Sequence, residues 1–181
     1  MLWVSGRPGS GKTTVASEVA ERLDRQGVAA TVLDPGEFVA FIAAGATPSG
    51  LQTLIASRTV VLAAQLLSRT GVAVIIDGAV AVGEAIELAR EIIESFAVVE
   101  LTCPADICRA RERAVRWGLV AEPSPSRPRS APSPGLDYAP PRAPDLVVYT
   151  DEADCWTTVN EVMELAGRLA GAARTRRMPR A

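Results

Sequence analysis

The chain has no histidine, and its 181 residues contain one lysine. Without imidazole, any general base must be a carboxylate, or the reaction must proceed without one. Cys103, Cys108 and Cys155 are an odd set with no C-x-x-C spacing, and with no histidine a structural zinc site lacks its fourth ligand. Their ordinary reading is buried or half-buried thiols in a reducing compartment. A charge surplus is missing too: the net charge of −2 gives no electrostatic basis for nucleic acid as the main partner. No apolar stretch reaches the roughly 18 residues that a membrane span needs. The apolar N-terminus is too short for a signal peptide and leads straight into a glycine-rich loop, so the expected location is cytoplasmic.

The one lysine, Lys12, closes the sequence G-R-P-G-S-G-K-T at residues 6–13, which fits G-x-x-x-x-G-K-[ST]. The other eighteen basic residues are arginines. By average residue usage the fixed positions would recur by chance in under about 1% of chains this long. In this pattern the backbone N–H groups of Gly6, Arg7, Pro8, Gly9, Ser10, Gly11, Lys12, Thr13 and Thr14, proline apart, can wrap nucleotide phosphates. Lys12 adds a compact charge, and the Thr13 hydroxyl can ligate Mg²⁺. Leu2–Val4 reads as a buried strand before the loop. Val15, Val19 and Leu23 share one helical face after it, which places a helix N-terminus at the phosphates.

Further strands are expected at Ala29–Leu33, Val72–Ile76, Phe96–Leu101 and Leu146–Tyr149, and helices at about 13–26, 50–70, 81–95, 105–118 and 154–172. Near-continuously apolar strands alternating with helices imply an α/β fold with a five-stranded parallel sheet covered on both faces. Ligands bind such sheets at the carboxyl ends of the strands, where the loop, Asp34–Glu37 and Asp77 all fall. Residues 119–144 are rich in proline and serine, which excludes a regular helix or central strand and suggests a lid or flexible insertion. The expected organisation is one domain over residues 1–173, with a basic tail over 174–181.

Phosphoryl transfer needs neutralised phosphates, a held metal and an aligned acceptor. Asp34 or Glu37 can take a hydroxyl proton or hold Mg²⁺ through water, and Asp77 sits where a Walker-B carboxylate orients the metal shell. Each carboxylate also has a plain alternative as a helix N-cap or solvated turn residue. On the helix before the proline-rich stretch, Arg109, Arg113 and Arg116 share one face while Arg111 points elsewhere, so two faces are basic, one suited to solvent and the other able to aim at phosphates. Arg58 can pair with an anionic substrate.

Several segments together resemble the adenylylsulfate (APS) kinase family. G-R-P-G-S-G-K-T-T matches its nucleotide loop, and L-D-P-G-E-F-V at 33–39 sits where the family has L-D-G-D-N-V/L-R. C-P-A-D-I-C-R-A-R-E-R at 103–113 and G-L-D-Y-A-P-P-R-A-P-D-L at 135–146 resemble two further family segments, and Thr150 matches the threonine after the last strand. The resemblance implies a P-loop kinase fold that moves the ATP γ-phosphate to the 3′-hydroxyl of adenylylsulfate with Mg²⁺. It also implies substrate contacts at Arg58, Leu136 and Asp137, a nucleotide contact at Arg111, and a possible homodimer. Gly36 stands where the family carries its second aspartate, and the phenylalanine before the G-L-D is replaced in P-S-P-G. Other outcomes compatible with these residues are a related kinase for a different hydroxyl compound, a nucleotide-binding regulator without turnover, and an NTPase that hydrolyses.

Overall fold

In the computed structural model, which describes residues 1–78, 83–119 and 138–177, five parallel strands lie in the order β2-β3-β1-β4-β5. The strands are β1 Leu2–Gly6, β2 Ala30–Leu33, β3 Ala73–Gly78, β4 Ala97–Thr102 and β5 Leu146–Tyr149. The helices are α1 Lys12–Arg25, α2 Pro35–Ala43, α3 Gly50–Arg69, α4 Gly83–Ile92, α5 Ala105–Arg116 and α6 Cys155–Arg177. β1 is central and wholly buried, so the phosphate loop that follows it emerges from the middle of the sheet.

Alternation along the strands divides the core in two. Leu2, Val4, Ile75, Val99 and Leu101 face α1 and α6, meeting Val15, Val19, Val159 and Val162. Trp3, Val74, Ile76 and Val98 face α3 and α4, meeting Val60, Val61, Ala64, Ile86 and Ala89, with Phe38 of α2 against the same cluster. Sheets buried on both faces need apolar side chains at successive positions, which is why these strands read as unbroken runs.

The strands and the expected helices recur with shifts of a few residues at their ends. Between β2 and α3, where no element is expected, Pro35–Ala43 form α2. Its start is well signalled: Asp34 is the N-cap, accepting from Gly36 N at 2.7 Å, and Pro35 takes the first turn, where its missing N–H costs nothing. α6 runs on to Arg177, so residues 174–177 of the expected tail continue the helix, and 178–181 lie outside the described residues. Residues 120–137 of the expected lid also lie outside them. The remainder is fastened to the body, since Arg90 donates to Ala143 O at 2.8 Å and pairs with Asp145 at 3.1 Å.

One expectation needs correcting. α3, at 20 residues, is long and apolar enough to cross a membrane on length and composition alone. Arg58 interrupts its apolar run, and Ala56, Val60, Val61 and Ala64 of this helix are buried in the core.

Candidate active site

The loop between β1 and α1 is shaped by close backbone approach. A Cβ on Gly6 would fall 2.6 Å from Leu101 O and onto the Ser10 hydroxyl; one on Gly9 would strike the Cys108 carbonyl. Gly9 and Gly11 also take φ values of 80° and 97°, where side chains are strained. The loop is thus seated against β4 on one flank and α5 on the other. Ser10 N donates to Arg7 O at 3.1 Å, and Val15 N to Gly11 O at 3.0 Å, which opens α1 directly out of the loop. A helix N-terminus opening from a glycine loop favours an anion.

Lys12 is 6% exposed, and its Nζ donates to Arg7 O at 2.9 Å, so the side chain curls back over its own loop. Burial lowers its pKa, and Asp77, Cys108, Glu100 and Glu112 oppose that shift. Thr13 Oγ1 donates to Asp77 Oδ2 at 2.7 Å, joining the first turn of α1 to β3. A hydroxyl beside a carboxylate is the oxygen-donor chemistry that Mg²⁺ takes. Among the described residues no group of three or more His, Cys, Asp or Glu could hold a metal. A site completed by substrate phosphates and water fits that donor set, because Mg²⁺ is seldom held in an all-protein cage.

Arg111 is the inward arginine of α5. It donates to Thr150 O at 2.7 Å and to Thr150 Oγ1 at 3.2 Å, and Thr150 Oγ1 in turn donates to Ser10 O at 3.0 Å. Arg111 therefore braces the phosphate loop through Thr150, while Arg109, Arg113 and Arg116 are exposed. Cys103 and Cys108 are buried beside this brace, and burial together with the contact to Cys103 pushes the Cys108 thiol up to about 11.

The residues expected on the acceptor side are less gathered. One Asp34 oxygen is engaged in capping α2, Glu37 is exposed in the first turn of that helix, and Arg58 is exposed on α3. Leu136 and Asp137 lie outside the described residues.

Sequence reasoning passes over one cluster. Glu100, 5% exposed in β4, accepts a hydrogen bond from Tyr138 Oη, which also lies 3.1 Å from Ser5 Oγ. The available signal was a charge inside the apolar run V-V-E-L, since a buried carboxylate needs a partner.

A family model described as adenylylsulphate kinase matches residues 1–149. The adenylyl-sulfate kinase of Synechococcus sp. is 28% identical over 158 residues, spanning 83% of this chain and 85% of that one. A solved Mycobacterium tuberculosis APS kinase, CysC, in complex with AMPPNP and APS, has the same fold. Its TM-score is 0.70 at 24% identity, covering 92% of this chain and 96% of that chain. Shikimate kinase from Acinetobacter baumannii shares the fold more distantly, with a TM-score of 0.54 at 18% identity over 91% of each chain. From the glycine loop to the last strand, then, the chain belongs to the adenylylsulphate kinase family, phosphotransferases that act on a hydroxyl acceptor.

Proposed function

We propose that this chain transfers the γ-phosphoryl group of ATP to the 3′-hydroxyl of adenylylsulfate, in the cytoplasm. The observation that carries the reading is the buried Lys12 beside the Thr13–Asp77 pair at the root of α1, within a chain of this family. In the transfer a bond forms between the acceptor oxygen and Pγ, the bond from Pγ to the β,γ-bridging oxygen breaks, and its electron pair leaves with ADP. The hydroxyl proton goes to a carboxylate, for which Asp34 or Glu37 is the candidate. Lys12 and the loop N–H groups hold the phosphates in line, so most of the acceleration comes from positioning and charge neutralisation. Mg²⁺, held through Thr13 and Asp77, supplies charge neutralisation at the phosphate oxygens when bound. Arg111 supports the loop from behind, and Arg58 with Leu136 and Asp137 receives the acceptor. The single domain over 1–173 acts with residues 119–144 as its lid, and a homodimer is the working assembly.

The test is product analysis by mass spectrometry with Mg²⁺, ATP and adenylylsulfate, beside a control without acceptor. The expected result is phosphorylated adenylylsulfate formed at a kinase-like ~1–100 s⁻¹. ADP without that product overturns the acceptor assignment and leaves a kinase for another hydroxyl compound or a hydrolase. Nucleotide binding with no ADP release favours the non-catalytic regulator, which Gly36 in place of an aspartate would suit.

A further inference from the structure

We propose that Glu100 and Tyr138 form a positioning pair for the phosphate loop, Glu100 fixing Tyr138 and Tyr138 carrying Arg7. The inference rests on the loop being the nucleotide site.

The pairing register sets Ser5 of β1 opposite Glu100 of β4. By alternation both side chains stand on the sheet face of Trp3 and Val98, opposite the face of Val4 and its register partner Asp77. Glu100 thus flanks β1 on one face, while the Thr13–Asp77 pair occupies the other. The Tyr138 hydroxyl reaches both carboxylate oxygens of Glu100 and lies beside Ser5 Oγ. The Arg7 guanidinium lies 5.7 Å from the centroid of the Tyr138 ring, within cation–π range. Arg7 is the loop residue whose carbonyl accepts both Lys12 Nζ and Ser10 N. Contacts therefore run without a break from Glu100 through Tyr138 and Arg7 to the lysine.

A valine at position 100 would satisfy the core, as Val98 does two residues earlier on the same face. A carboxylate buried against a phenol is costly by comparison. Burial raises the pKa of Glu100, against hydrogen bonds from Tyr138 and Ser5 and the charges of Lys12 and Arg7, which are the groups facing it among the described residues. A carboxylate whose folded-state pKa is raised contributes stability below its ordinary value of 4.5 and loses that contribution as pH rises through the folded value. Wherever it is ionised the group therefore weighs on the fold, and what it supplies is the placement of Tyr138.

The experiment compares wild type, Glu100→Leu, Tyr138→Phe, the double variant and Glu100→Gln in ADP and ATP binding by calorimetry, with melting curves at several pH values. Glu100→Leu and Tyr138→Phe each weaken nucleotide binding about tenfold, and the double variant is no weaker than the weaker single variant, as expected for one linked unit. Glu100→Gln keeps an acceptor oxygen for Tyr138 and recovers most of the affinity. It also melts above wild type where Glu100 is ionised, a margin that shrinks as pH falls. Variants that melt lower with nucleotide affinity unchanged would mean a merely structural role and overturn the proposal. If Glu100→Leu does not fold, Tyr138→Phe decides alone, since it retains the ring. A wild type that binds no nucleotide overturns the nucleotide reading of the loop, and this inference with it. A wild type that binds nucleotide as well as every variant does overturns this inference alone.

Discussion

The two faces of β1 handle their chemistry differently. On the face covered by α1 and α6, Thr13 and Asp77 are joined at 2.7 Å, with Lys12 next in sequence and buried. On the face covered by α2, α3 and α4, Asp34 caps one helix while Glu37 and Arg58 stand exposed on separate helices. The first arrangement is built by backbone and core. Glu37 and Arg58 of the second are surface side chains, which can change at little cost to the fold, although the same face also holds the buried Glu100. With the roles proposed for these residues, donor handling would be tied to stability, whereas acceptor choice would be free to drift.

Substitutions on each face put that contrast at risk. Lys12→Ala should have the largest effect, a loss of about 100- to 1000-fold in turnover, the scale of removing one preorganised electrostatic group. Its circular dichroism should match wild type. Near-normal turnover would remove the donor-face argument. Arg58→Ala should raise the acceptor KM about tenfold, as loss of one charge-assisted hydrogen bond would, with the ATP KM unmoved. A rise in the ATP KM instead would show that the two faces are not separable. The smallest effect is expected at Asp34. Asp34→Ala should cost about 1 kcal/mol through the lost cap of α2, lowering Tm by about 2–4 °C. Asp34→Asn should keep the cap and the melting temperature. If Asp34→Asn keeps Tm but loses turnover, the carboxylate acts on the acceptor and Asp34 is more than a cap.

The same contrast governs what could be read from sequence. The donor face was legible because its parts are local: Gly6 to Thr13 is one motif, and strand and helix flank it by periodicity. Asp77 was legible because it follows the apolar run Val72–Ile76. α2 was missed although Asp34 and Pro35 form an ordinary helix start, because the proline–glycine pair after Asp34 also fits a turn. β1 runs two residues past its expected end, since Ser5 and Gly6 break the apolar pattern while the ladder continues. Glu100 and Tyr138 could not be paired in advance. They lie 38 residues apart, and their third partner, Ser5, is 133 residues from Tyr138, so only the sheet register brings the three together. Arg111 was singled out, but its tie to Thr150, 39 residues away, is made by the fold and not by any local pattern.

Lys12 is the one ε-amine of this sequence, and the fold buries it. A lysine-specific protease therefore has a single bond to cut, inside the loop, and reaches it only when that loop opens. Cleavage in native buffer reports how often the site opens, locally or by unfolding, and an amine-reactive label on the side chain reports the same event chemically. A composition nearly emptied of lysine thus leaves the protein with a built-in gauge of how firmly its phosphate loop is held shut.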